Sequence, residues 1–305
     1  MPPDRLLQGL YLPLITPFDV DGSVALDALE GLANGYLDAG AAGLVALATT
    51  GETPALDATE QQAVVALCSR VASERGAQLI VGTGTNNTAK TIAACEALRG
   101  NESVTAALVV VPYYVRPSEA GIVEHMKAVA AASPVPLVMY NIPYRTGRNL
   151  GPVGMLELAN TPNITGVKQS VGSLDADTLQ ILAEAPKSFS LLGGEDPFFF
   201  PTILMGGAGA IGAAAHLCTE RFVAMIECAL AGKVDDGRAH AEALLPVVQA
   251  GFAEPNPAVF KGVLHAQGRI PTPAVRLPLL SASTEAVDTA LAAIDAVGRD
   301  ASPAR

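Results

Sequence analysis

The feature that most constrains this chain is an alternation repeated eight times. Short apolar or β-branched runs, "YLPLIT" (11–16), "GLVALA" (43–48), "QLIVGT" (78–83), "AALVVV" (106–111), "PLVMYN" (136–141), "ITGVKQ" (164–169), "FSLLGG" (189–194) and "GAIGAA" (209–214), are separated by longer alanine-rich stretches. Runs of this length and near-continuous apolarity read as strands buried on both faces, and the stretches between them have helical period. They predict helices near 25–39, 57–74, 88–99, 118–132, 152–159, 175–185, 197–205 and 217–231. Start signals support several: Asp57 with Glu60 three residues on, Thr88 after Asn87, and Ser118 followed by Glu119. Eight strand–helix units with no Gly/Ser linker predict an α/β fold, a closed (β/α)₈ barrel over residues 1–232, with a doubly wound open sheet as the competing arrangement. Residues 233–305 then form a C-terminal helical region, with helices near 234–251, 256–268 and 284–297 broken by "EPNP" and "PTPAVRLPLL", and a polar, frayed "GRDASPAR" end.

Composition removes several functional classes. At 305 residues and 50% hydrophobic the chain can bury a large core. Its mean hydropathy of +0.35 comes largely from alanine, and no apolar stretch approaches the roughly 20 residues of a membrane span. The N-terminal "MPPDRLLQGLYLPLITPF" lacks the pattern of a secretory signal, because Pro13 and Pro17 break its apolar segment. Cys68, Cys95, Cys218 and Cys228 are scattered and form no CxxC pair, as expected of free thiols in a reducing, cytoplasmic compartment. A net charge of −11 argues against a nucleic-acid footprint. His125, His216, His240 and His265 lack metal-ligand spacing and read as ordinary core or helix histidines, so neither metal nor cofactor is expected.

On a barrel, chemistry sits at the C-terminal ends of the strands. The ends here carry Thr16, Thr49 with Thr50, Thr83 with Thr85, Tyr113 with Tyr114, Tyr140 with Asn141, Lys168, Gly193 with Gly194, and Ile211. Lys168 is one of only six lysines and ends a short apolar run. A partly desolvated amine there is disfavoured as ammonium and becomes a usable nucleophile toward a carbonyl. Its protonated imine would serve as an electron sink for making or breaking the adjacent bond, the chemistry of a class I aldolase. The competing reading is a strand-end lysine that snorkels to solvent or pairs with an acid. Tyr140, Tyr114 and Thr50 on the same rim favour the first, since hydroxyls move protons without adding fixed charge. Arg145 in "YRTG" (144–147) suits a substrate carboxylate, although a solvated loop arginine would look alike. "TTGET" (49–53) offers N–H and hydroxyl groups for an anion, as a plain turn also would. "GTGTNN" (82–87) lacks the full dinucleotide fingerprint.

With these residues the chain resembles the superfamily of dihydrodipicolinate synthase and N-acetylneuraminate lyase. The resemblance runs through "LITPF" (14–18), "TTGE" (49–52), "GTGTNNTA" (82–89), "VPYYVRPS" (111–118), "MYNIPYRTG" (139–147), "GVKQS" (166–170), "EPNP" (254–257) and "VRLPLL" (275–280). It implies a Schiff-base lysine at Lys168, a proton shuttle at Tyr140, and Thr50 linking it to Tyr114, which would reach into a neighbouring subunit. It further implies that Thr49 and Thr50 bind the pyruvate carboxylate, that Gly194 and Ile211 line the pyruvate pocket, and that Arg145 holds the second substrate's carboxylate. A homotetramer built as a dimer of tight dimers goes with this reading. Arg145 and "EPNP" resemble the synthase branch, which joins pyruvate to aspartate 4-semialdehyde in lysine and diaminopimelate biosynthesis.

Ala48, Gln169 and Val115 depart from the family's usual residues. They keep a 2-keto-3-deoxy sugar-acid aldolase or dehydratase, an N-acetylneuraminate lyase-like enzyme or a hydratase-aldolase in view as alternatives. A catalytically silent binding barrel is the alternative of another class. Lys90 stands where lysine-inhibited relatives have an acid, and Ala58 and Gln61 replace the usual histidines, so weak or absent feedback by L-lysine is expected.

Overall fold

The computed structural model describes residues 5–300. Among them, eight parallel strands close into a barrel in chain order, β8 pairing back onto β1. They are β1 (Gly9–Pro13), β2 (Gly43–Ala46), β3 (Gln78–Gly82), β4 (Val104–Val110), β5 (Leu137–Asn141), β6 (Ile164–Gln169), β7 (Ser190–Gly193) and β8 (Gly209–Ile211). Side chains alternate across each strand. Tyr11, Val45, Ile80, Leu108, Val138 and Leu192 pack together inside the barrel, while Leu10, Leu12, Leu44 and Val81 meet the surrounding helices.

Those helices are α1 (Leu26–Asp38), α2 (Ala58–Arg75), α3 (Thr88–Glu96), α4 (Glu119–Ala132), α5 (Pro143–Thr146), α6 (Pro152–Ala159), α7 (Ala176–Glu184), α8 (Phe199–Leu204) and α9 (Thr219–Leu230). The expected start signals are realised as caps. Asp57 and Glu60 form a reciprocal capping box on α2, the Asn87 side chain accepts the Lys90 N–H on α3, and Ser118 accepts the Gly121 N–H on α4.

The differences from expectation are local. β2 ends at Ala46 because Leu47 turns into the left-handed region (φ 54°) and breaks the ladder. The helix expected over 197–205 is a 3₁₀ turn, Asp196–Phe198, followed by the shorter α8. α5 follows directly on β5 and was not foreseen, since four residues carry no readable period.

Three further helices, α10 (Val234–Gly251), α11 (Ala258–Ala266) and α12 (Thr284–Asp300), complete the described chain. α10 packs on α9, on α12 and on the Asp196–Phe198 turn, and Leu244, Val247 and Phe260 join the core outside the barrel. Part of the "GRDASPAR" end belongs to α12, since that helix runs to Asp300. The rest, 301–305, lies outside the described residues. The segment between α10 and α11 carries "EPNP" over the barrel mouth, which brings C-terminal residues to the strand ends.

Candidate active site

Lys168 lies on β6 in register with Tyr140 of β5 on one side and Leu192 of β7 on the other. Both Lys168 and Tyr140 are buried, and the lysine Nζ stands 4.5 Å from the centre of the tyrosine ring. Adjacent strands of a closed ladder thus fix amine and phenol side by side. Gly194, just past β7, is glycine for a packing reason: a Cβ there would sit 2.0 Å from Ser170 Oγ and 3.0 Å from the lysine's own stem. Its absence lets the Lys168 chain lie against the backbone.

Thr49 and Thr50 begin a 3₁₀ turn, Thr49–Gly51, immediately after β2. The first N–H groups of such a turn have no partner within it, so they are available to an anion. Thr16 Oγ1 donates to the Gly51 carbonyl at 2.7 Å, tying the turn to the segment that follows β1. Ala48 is extended (φ −89°), so its methyl group is tolerated there. Thr50 Oγ1 accepts from the Asn256 side chain at 3.1 Å.

Arg145 sits exposed on α5, which ends in Gly147 at φ 73°. Arg116 Nε donates to the Gly147 carbonyl at 3.3 Å and Arg148 Nε to the Arg116 carbonyl at 3.0 Å, joining this loop to the one that carries Tyr114. Gln169 is accommodated behind β6: its amide accepts from Asn141 Nδ2 and donates to Thr178 Oγ1, both at 3.2 Å.

Thr49, Thr50, Tyr140, Arg145, Lys168, Gly194 and Ile211 all line one cavity of about 580 Å³. Tyr114 does not join them. It is 87% exposed, with φ 69°, on the loop after β4, and no bond links it to Thr50 within the chain. The relay of three hydroxyls inferred from sequence is therefore not assembled by one chain alone.

Several residues of the cavity were not singled out from sequence. Tyr144, Glu195 and Asp196 line it, as do Gln249, Phe252 and Asn256 from the C-terminal region. Burial pushes the Asp196 carboxyl up to about 7, against the Ala214 N–H that donates to it at 2.8 Å and the nearby Lys168 charge. Burial likewise raises Glu195, whose Oε1 is buried without a hydrogen-bond partner. "GGED" directly after the seventh strand was the available signal for both acids. Asn256 lay inside the quoted "EPNP" but its reach back to Thr50 spans most of the chain and has no local signature.

A buried strand-end amine, an adjacent phenol, a hydroxyl- and N–H-bearing turn and a guanidinium thus share one pocket. The family profile of the dihydrodipicolinate synthetase family matches residues 6–297. This chain belongs to that family. It is 40% identical over 287 residues to the 4-hydroxy-tetrahydrodipicolinate synthase of Moorella thermoacetica, covering 93% of this chain and 96% of the relative. With the enzyme of that name from Neisseria meningitidis serogroup C it shares 36% identity over 294 residues, 96% of this chain and all of the relative. Among solved structures, the chloride-inhibited dihydrodipicolinate synthase from Acinetobacter baumannii complexed with pyruvate superposes with a TM-score of 0.91 at 30% identity, covering 95% of this chain and 99% of that one. The barrel of that solved structure is the one described here, and both curated relatives carry the name 4-hydroxy-tetrahydrodipicolinate synthase.

Proposed function

We propose that this chain condenses pyruvate with aspartate 4-semialdehyde to 4-hydroxy-tetrahydrodipicolinate through a Schiff base on Lys168. The observation that carries the reading is the pairing of Lys168 with Tyr140 on neighbouring strands, inside a pocket that also presents the Thr49–Gly51 turn and Arg145. The Lys168 amine adds to the pyruvate keto carbon, and the Tyr140 hydroxyl passes the proton that lets the carbinol oxygen leave as water. The protonated imine acidifies the pyruvate methyl group, which loses a proton to become an enamine. That carbon attacks the aldehyde, whose oxygen takes up a proton as the new hydroxyl. The semialdehyde's own amine then displaces Lys168 from the imine carbon, closing the ring and freeing the enzyme. One water is lost overall.

Thr49 and Thr50 hold the pyruvate carboxylate with N–H and hydroxyl groups, Gly194 and Ile211 line its pocket, and Arg145 takes the semialdehyde carboxylate at the mouth. Tyr114 completes the relay from a second copy of the chain, a role suited to an exposed aromatic on a loop held in the left-handed region. The assembly is a homotetramer of two tight dimers. The location is the cytoplasm, in keeping with four free cysteines, and no described helix is long and apolar enough to cross a membrane.

The test is a coupled assay with pyruvate and aspartate 4-semialdehyde, read through the next, reductive step. Turnover that collapses in Arg145→Ala supports the synthase. Pyruvate adduct formation without turnover of the semialdehyde would assign the chain another aldehyde or a sugar acid.

A further inference from the structure

The Thr49–Gly51 turn is held from behind by the C-terminal region through groups that never line the pocket. Glu52 follows the turn in the left-handed region (φ 53°) and points its carboxylate away from the cavity. Its Oε1 accepts from Lys261 Nζ at 2.8 Å, and the two side chains are only 1% and 0% exposed. Its Oε2 accepts the Arg276 backbone N–H at 2.8 Å. The Lys261 ammonium lies 4.0 Å and the Arg276 guanidinium 4.4 Å from the centre of the Phe18 ring. Arg276 continues to Glu60 at 2.7 Å and to the Ala55 carbonyl at 2.8 Å, closing around the base of the turn.

A fully buried ion pair is a poor source of stability, because desolvation offsets most of the attraction, and a packed apolar pair would serve as well. What it supplies is fixed geometry: two charges of opposite sign in a low dielectric tolerate little displacement. Burial lowers Lys261 to about 8 even with Glu52 beside it. A non-glycine residue at positive φ likewise persists only where its surroundings over-determine it.

We infer that Glu52 and Lys261 are positioning residues. Their buried pair sets the height and orientation of the Thr49–Gly51 turn relative to Lys168, so that pyruvate's carboxylate meets groups already in place. The inference rests on the reading of that turn as the pyruvate carboxylate site, and it makes the C-terminal region a part of pyruvate recognition.

The experiment measures the pyruvate concentration that gives half-maximal borohydride trapping, alongside the melting temperature and the steady-state KM for each substrate. Glu52→Gln/Lys261→Met removes both charges together and leaves no unpaired ion in the core. Glu52→Asp keeps both charges but shortens the tether by one methylene. The expected result is a half-saturating pyruvate concentration raised about tenfold or more in folded protein, as small misplacements of binding groups do, with the KM for the aldehyde unchanged. Half-saturation within about twofold of wild type in either folded variant overturns the inference, since a merely structural pair would leave trapping intact. Failure of both variants to fold overturns it too, because the pair is then a determinant of stability. Failure of the underlying site reading has a different signature: wild-type protein itself shows no pyruvate-dependent trapping.

Discussion

The two sides of the pocket are built differently. Lys168 and Tyr140 stand on paired strands of a closed barrel, where ladder hydrogen bonds on both edges leave little freedom. Thr49, Thr50, Arg145 and Tyr114 stand on turns, and each turn is fixed by something distant in sequence. For the first turn this is Asn256 and the Glu52–Lys261 pair, and for α5 and the loop that carries Tyr114 it is the Arg116–Arg148 lacing. In the proposed reaction the barrel places the bond-making groups, and the loops, with the C-terminal region, place the groups that choose and hold the substrate.

Substitutions separate the two sides by size of effect. Lys168→Ala removes the proposed nucleophile and is expected to lower kcat by about 10⁴-fold or more, with no stable pyruvate adduct at any concentration. A residual rate within tenfold of wild type, roughly the scale of a single lost contact, would place the chemistry elsewhere. Tyr140→Phe keeps the ring against Lys168 and loses the proposed shuttle, so kcat should fall about 10²–10⁴-fold while pyruvate affinity changes little. Stopped-flow measurement of adduct formation checks that split.

On the loop side, Arg145→Ala should raise the KM for the semialdehyde by about 10–10²-fold, the scale of a lost charge-assisted contact, and leave pyruvate trapping unchanged. An equal change for both substrates would break the division between the sides.

The barrel frame carries a pH signature of its own. His216 is fully buried, its Nε2 accepting the Ile15 N–H at 3.3 Å and its Nδ1 donating to the Ala213 carbonyl at 2.8 Å, and burial lowers its pKa to about 4. The unfolded chain takes up this proton near pH 6.5 and the folded one only near 4. Its contribution is therefore complete above about 6.5 and lost as pH falls toward 4, up to about 3 kcal/mol. His216→Gln should flatten that part of the stability profile measured by denaturant unfolding. The smallest effect is expected of added L-lysine. With exposed Lys90 in the first turn of α3, steady-state rates should be nearly unchanged, and strong inhibition would show that this position does not face the effector.

How far the sequence could be read follows the same division. Strands buried on both faces leave continuous apolar runs, so all eight could be placed to within a few residues, and Lys168 and Tyr140 could be assigned to neighbouring strand ends. Gly194 and Ile211 were reachable through the resemblance, and the structure adds the reason for the glycine, the Lys168 stem lying against it. The C-terminal end of β2 and the split before α8 were missed because single residues at positive φ and 3₁₀ turns leave no period. Glu195 and Asp196 were visible as acids at a strand end but were not weighed. The hold of Asn256 on Thr50 and of Lys261 on Glu52 joins residues more than 200 positions apart, which no local pattern reports.

Schiff-base formation on Lys168 is tested by borohydride reduction of the wild-type protein with pyruvate, followed by peptide mapping by mass spectrometry. A single reduced pyruvate adduct is expected on the peptide that carries Lys168. An adduct on any other lysine, or none, would contradict it.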